Sequence, residues 1–142
     1  MKFYIACDHA GYNIKQSVID IVENLGHEII NLGTDSNERV DYPDFAHKLS
    51  EAVLKDKGSN GILICGTGIG MSLAANKHKG IRAALCHDAY TAEMSKAHND
   101  ANVLCFGERV VGLGVIESII KTWCKTDFEG GRHANRVKKI EL

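Results

Sequence analysis

The chain lacks a surplus of either charge: 17 lysines and arginines stand against 18 aspartates and glutamates, for a net charge of -1. Such a balance draws the protein neither to nucleic acid nor to an anionic membrane surface, so any basic site must be local. No run of about 18 apolar residues occurs, and Met1-Lys2-Phe3-Tyr4-Ile5-Ala6 leads straight into an apparent strand without a leader's apolar stretch. No membrane partner is expected, and the location expected is cytoplasmic. There is one proline, Pro43, read as lying in a loop after Tyr42, and there is no Pro-rich linker, repeat or low-complexity tract among the 142 residues. One domain spanning 1–142 is therefore expected.

No CxxC pair is present either. The five cysteines Cys7, Cys65, Cys86, Cys105 and Cys124 are odd in number and widely spaced, which argues against a disulfide framework and agrees with a reducing compartment. Four of them sit at the ends of apolar segments or on a helix, where cysteine acts as a small buried hydrophobe.

What the chain does have is a regular alternation. Apolar runs at Phe3–Ala6, Ile29–Leu32, Ile62–Ile64, Ile81–Leu85 and Asn102–Phe106 read as five strands. Ile14, Val18, Ile21, Val22 and Leu25 share one helix face, which Gly26 is placed to end. Phe45, Leu49, Ala52 and Val53 form a second stripe, and Leu113, Ile116, Ile120 and Trp123 a later one. Short apolar strands separated by helices call for a parallel sheet covered on both faces, a doubly wound three-layer α/β/α fold. Such a sheet binds ligands beyond the carboxyl ends of its strands. Cys7-Asp8-His9, Cys65–Gly70, Cys86-His87-Asp88 and Gly107-Glu108-Arg109 all follow strands and so share that rim.

The run Cys65-Gly66-Thr67-Gly68-Ile69-Gly70 puts a thiol at the tip of a buried strand, before a glycine turn whose N–H groups can face an anion. A dinucleotide fingerprint is excluded because Met71 stands where its third glycine is required, and a P-loop because no Gly-Lys-Ser/Thr follows. A metal centre is disfavoured, since adjacent residues of Cys7-Asp8-His9 or Cys86-His87-Asp88 point to opposite sides. A thiol near a helix start can instead act as a base, with the loop N–H groups stabilising the oxyanion left when a carbon beside a carbonyl loses its proton. In the tail 130–142, Arg132 and Arg136 fall on one face if it is helical, an arrangement suited to phosphate. The plainer alternative is a solvated basic end. His98, at a helix end before Asn99, is either a proton shuttle or a structural C-terminal partner. Together these parts describe a sugar-phosphate isomerase.

Asp8-His9-Ala10-Gly11, Cys65 to Gly70, His98-Asn99, Gly107-Glu108-Arg109 and Arg132…Arg136 resemble, in order and over nearly the whole chain, the ribose-5-phosphate isomerase B family. The resemblance implies a Rossmann-like fold with a C-terminal helical tail, and a homodimer, in some members paired into tetramers, with sites built across the subunit interface. The tail would then pack at that interface. The reaction implied is the interconversion of D-ribose 5-phosphate and D-ribulose 5-phosphate, in the non-oxidative pentose phosphate pathway, without cofactor or metal. Carried over, Cys65 is the base that moves a proton between C2 and C1 through a cis-enediolate, with Thr67 hydrogen-bonding nearby, and His98 assists ring opening. Gly66, Thr67, Gly68, Ile69 and Gly70 stabilise the enediolate, and Asp8 and Asn99 bind sugar hydroxyls. His9, Arg109, Arg132 and Arg136 hold the phosphate, and Tyr42 lines the sugar pocket. Relatives with a glutamate base just past the loop differ here, where that position is Met71. Allose 6-phosphate and galactose 6-phosphate remain alternative substrates, and a non-catalytic sugar-phosphate-binding module is the non-enzyme alternative.

Overall fold

In a computed structural model describing all 142 residues, five strands alternate with six helices. The strands are β1 (Lys2–Cys7), β2 (Glu28–Asn31), β3 (Asn60–Cys65), β4 (Ala83–Leu85) and β5 (Val103–Gly107). The helices are α1 (Tyr12–Asn24), α2 (Tyr42–Lys55), α3 (Ile69–Ala75), α4 (Ala89–Ala97), α5 (Leu113–Lys125) and α6 (Arg132–Ile140). The sheet is parallel throughout, in the order β2-β1-β3-β5-β4. This is the three-layer α/β arrangement that the alternation calls for.

Strand order also decides which helix covers which face. A right-handed crossover puts the helix of a leftward step on one face and that of a rightward step on the other. The steps β1 to β2 and β4 to β5 run one way, so α1 and α4 lie together, with α5 beside them. The remaining two steps run the other way and put α2 and α3 opposite. The core divides accordingly. Val18 and Val22 of α1 and Ile116, Ile119, Ile120 and Trp123 of α5 pack with Phe3, Ile5, Cys7, Ile62, Ile64, Leu104 and Phe106. Leu49 and Val53 of α2 and Met71 and Ala75 of α3 pack with Ala6, Leu63, Cys65, Val103 and Cys105. Each aliphatic or aromatic side chain so buried is worth roughly 1.5–3 kcal/mol. Because successive strand residues face opposite ways, Cys65 points to the α2/α3 layer and Cys7 to the α1/α5 layer.

The amino edge of the sheet carries polar ties. Trp123 is fully buried, and its Nε1 donates to Asn60 Oδ1 at 3.1 Å at the start of β3. The Lys96 ammonium stands 5.1 Å over the same ring, and burial lowers its pKa. After Gly130-Gly131, α6 buries only His133. Its far end is tied down by Glu141, which accepts from Gly80 N at 3.0 Å and pairs with Arg82 at 2.8 Å.

Several details differ from the sequence expectation. Pro43 lies in the first turn of α2, not in a loop; its missing N–H has no partner to lose there. Strand β4 begins at Ala83, since Arg82 N donates instead to Asn102 Oδ1 at 2.9 Å. The buried face of α1 includes Lys15, whose ammonium donates to Thr34 O, and Ile19. On α5, Ile119 belongs to the core whereas Leu113, its first residue, stays exposed.

The tie at Glu141 has a pH signature. The Gly80 N–H, then Arg82, hold its carboxyl below the usual glutamate range. A folded value below the unfolded one adds stability that is present above the ordinary carboxylate range and lost as pH falls through it. At the surface this is worth at most ~1 kcal/mol. Amide exchange in α6 is therefore expected to lose protection in acid beyond the intrinsic rate change. Glu141→Gln should lower that protection at pH 7 and flatten its dependence on pH.

Candidate active site

All five strands end at one rim, and the order reverses between β1 and β3, which opens a crevice there. The turn after β1 supplies the first wall. Asp8, nearly buried, accepts through Oδ1 from the N–H groups of Ala10 (2.9 Å) and Gly11 (3.2 Å) and so locks the entry to α1. Gly11 allows the close approach, for a Cβ there would stand 2.8 Å from Ile64 O and 2.9 Å from Cys7 Cβ. His9 accepts at Nδ1 from Val40 N at 3.2 Å, so the neutral ring carries its proton on Nε2, a donor.

The second wall is the loop after β3. Cys65 is only 5% exposed, and its Sγ accepts from Gly68 N at 3.1 Å. This bond requires the chain to double back at Gly68, where φ is +79°. Thr67 Oγ1 accepts from Ile69 N at 3.2 Å, leaving its hydroxyl proton free to donate. Of the five loop residues, two N–H groups are thus engaged. Those of Gly66, Thr67 and Gly70 meet no acceptor within the chain. Burial raises the pKa of the other four thiols, Cys7 to about 11, which favours their neutral form.

Two further side chains close the crevice. Arg109 follows β5, and its guanidinium covers Gly66, with Nη1 3.2 Å from where a Cβ of that glycine would lie. Tyr42 begins α2 and lays its ring on Gly70, 2.5 Å from the corresponding Cβ position. Glu108, which sequence reasoning left out of the site, has its backbone N–H on Cys65 O at 3.0 Å. Its carboxyl pKa is raised by burial, which Arg109 opposes and Asp8 reinforces. Asp88, by contrast, is spent on structure: it caps α4 by accepting from Thr91 N at 2.7 Å.

The remaining expected residues stand elsewhere. His98 caps the carboxyl end of α4, and α4 runs back from the rim to the amino edge of the sheet. There the Asn99 carbonyl accepts from Arg82 Nε at 3.1 Å, just before β4. Arg132 and Arg136, one helical turn apart on α6, are exposed at that same end. Strand β3 alone separates the two ends by roughly 16 Å at about 3.3 Å per residue. Within one chain, Cys65, Thr67, Asp8, His9, Tyr42 and Arg109 therefore come together, and His98, Asn99, Arg132 and Arg136 do not join them.

At the amino end the His98 ring stacks on His133, with centroids 4.2 Å apart and planes inclined by 11°. Glu129 Oε1 lies 3.7 Å from His98 Nε2 and 3.5 Å from His133 Nε2. These three residues are the one group with donor atoms close enough to suggest a metal, within 4.8 Å of one another. Nearly parallel rings aim their lone pairs along separate planes, and one ion cannot lie in both at bonding distance. The trio is a stacked pair beside a carboxylate. Neither Glu129 nor His133 was singled out in the sequence, although His133 sits between the two arginines of the tail motif.

Comparison with known proteins follows the same lines. Residues 3–140 match the family described as Ribose/Galactose Isomerase. The chain is similar to ribose-5-phosphate isomerase B of Escherichia coli, at 47% identity over 98% of this chain and 93% of that protein. It is 43% identical to ribose-5-P isomerase B of Listeria innocua, over 99% of this chain and 95% of that one. Among solved structures, ribose-5-phosphate isomerase B of Clostridium thermocellum matches with a TM-score of 0.95 at 55% identity, over 99% of this chain and 95% of that one. The type B ribose 5-phosphate isomerase of Trypanosoma brucei matches at 0.95 and 48%, covering 98% and 95%.

The loop geometry makes Gly68 its most sensitive position. A Cβ there would stand 2.7 Å from the Phe106 carbonyl carbon and 2.7 Å from Leu85 Cδ1, in a backbone conformation that alanine adopts poorly. Gly68→Ala is expected to cost about 1–3 kcal/mol in urea unfolding. Turnover should fall more than stability, because the N–H that meets Cys65 Sγ moves with the loop.

Proposed function

The chain belongs to the ribose/galactose isomerase family of enzymes, and from that premise we propose that it interconverts D-ribose 5-phosphate and D-ribulose 5-phosphate, as in the non-oxidative pentose phosphate pathway. The observation that carries this reading is the Cys65 thiol held by Gly68 N at 3.1 Å, beside three loop N–H groups without an acceptor. The names of the E. coli and C. thermocellum relatives support the pentose substrate.

In this mechanism Cys65, as thiolate, takes the proton from C2 of the open-chain aldose. The C2–H electron pair forms the C1–C2 double bond, and the carbonyl pair moves onto O1. The N–H groups of Gly66, Thr67 and Gly70 receive the charge that develops on the cis-enediolate. The O2 proton passes to O1, and Cys65 returns its proton to C1 as the carbonyl forms at C2. One proton leaves and one returns, with no net change in electrons, so no redox cofactor is required. Thr67 donates to the sugar oxygens, Asp8 and Asn99 bind hydroxyls, and Tyr42 lines the sugar. His9 Nε2 and Arg109 hold the phosphate with Arg132 and Arg136.

The two-ended distribution of these residues supports a site completed by a second copy of the chain. On this reading Cys65, Asp8, His9 and Arg109 come from one copy, and His98, Asn99, Arg132 and Arg136 from the other. Exposed apolar residues bordering the loop, Ile69 at 51% and Leu73 at 63%, favour such a neighbour. The galactose in the family's description keeps hexose 6-phosphates in view as substrates.

Chelator-treated protein without nucleotide is expected to convert ribose 5-phosphate faster than allose 6-phosphate or galactose 6-phosphate. Cys65→Ala should lose roughly 10²–10⁴-fold in turnover; full turnover in that variant would remove the thiol from the mechanism, and silence of the wild type on all three sugars would favour a binding module. A mixing experiment tests the shared site. Cys65→Ala and His98→Asn proteins, each inactive, should regain about a quarter of wild-type activity after subunit exchange, since half the dimers then hold one intact site. No recovery after verified exchange would mean that each site is built within one copy.

A further inference from the structure

We infer that Glu129 is a positioning residue for His98, holding its ring through Nε2 against the stacked His133 so that Nδ1 is the nitrogen that serves ring opening. The inference rests on the isomerase reading above and extends it to a residue that touches neither substrate nor reacting atoms.

Three observations converge. The His98 ring makes no hydrogen bond and is a third exposed, so its stacking on His133 and the Glu129 carboxylate, 3.7 Å from Nε2, are what fix its orientation. Glu129 is itself anchored, its backbone N–H donating to Ala97 O at 3.0 Å, one residue before His98. This contact ties the segment ahead of α6 to the end of α4. Finally, His133 Nε2 is buried without a hydrogen-bond partner, an arrangement that disfavours charge on this ring. Burial, and then His98, push the His133 pKa down, while Glu129 opposes them. With His133 uncharged, His98 Nε2 is the ring nitrogen that the Glu129 carboxylate, 3.7 Å away, can pair with as a cation. All three residues belong to one chain, so the trio keeps its geometry whichever copy's Cys65 it faces.

The chemistry needs such control. Opening the furanose breaks the C1–O4 bond, whose electron pair goes to O4. His98, as imidazolium, gives that oxygen its proton through Nδ1 and takes the O1 proton as the C1 carbonyl forms, so it ends as it began. A ring free to turn about χ2 would present either nitrogen, and a proton donor misplaced by one ångström loses much of its effect.

The test exploits a difference between the two substrates. Ribose 5-phosphate must open before Cys65 can act, whereas ribulose 5-phosphate is already open, and exchange of its C1 hydrogen with solvent needs only the enediolate step. Glu129→Gln is expected to slow conversion of ribose 5-phosphate at least tenfold while solvent deuterium enters C1 of ribulose 5-phosphate at the wild-type rate. That retained exchange also reports an intact fold and an intact Cys65 loop. Conversion unchanged in Glu129→Gln, or conversion and exchange lowered alike, would overturn the role of Glu129. Wild-type protein that neither converts nor exchanges these sugars would instead overturn the isomerase reading and this inference with it.

Discussion

Parallel strand direction is the constraint on which the rest of this molecule depends. With every strand pointing the same way, each connection must carry the chain back to the amino edge, and each helix after a strand begins at the carboxyl rim and ends at the other. Residues just after strands and residues just after helices are therefore sorted to opposite ends. Asp8, His9, Cys65 and Arg109 belong to the first class, and His98 and Asn99 to the second. The separation follows from topology and does not depend on side-chain packing.

The same constraint explains how a thiol that borders the crevice can sit in a buried layer. Cys65 is the last residue of a central strand, and its side chain belongs to the α2/α3 core with Leu63 and Met71. Desolvation alone favours the neutral thiol, as at Cys7 and Cys105. What distinguishes Cys65 is the loop that follows it. The turn at Gly68 folds an N–H onto Sγ, and the neighbouring donors remain open to the crevice. Met71 is fully buried three residues beyond Gly68, filling the core where a polar side chain would need a partner. A buried strand end followed by a glycine turn thus brings a thiol and three unengaged N–H groups together within six consecutive residues.

Much of this was legible in the sequence. Apolar runs and helical stripes gave the five strands and the layers, because burial on both faces leaves a pattern that survives errors of one or two residues at the ends. The Cys65 loop was legible because strand, thiol and glycines are contiguous. Pro43 was misread because proline in a first helical turn and proline in a loop look alike without the tertiary course of α2. The division of the site was available in principle: His98 was placed at a helix end, and a helix end in a parallel fold lies away from the rim. That direction agrees with the sites across a subunit interface that the family resemblance implies. The stack of His98 on His133 was not available, since 34 residues and two elements intervene and nothing local marks the pair.

That stack also gives the tail its place in the fold. A helix of nine residues with four lysines and arginines and little apolar surface has no propensity to hold its position alone. It is held at both ends, by His133 under the His98 ring and by Glu141 on Arg82 and Gly80. Arg82 in turn binds Asp100 at 3.1 Å, in the turn immediately after His98 and Asn99. The contacts that fix the tail are thus the contacts that fix the end of α4. An arginine pair on α6 and the histidine that caps α4 are thereby tied into one unit.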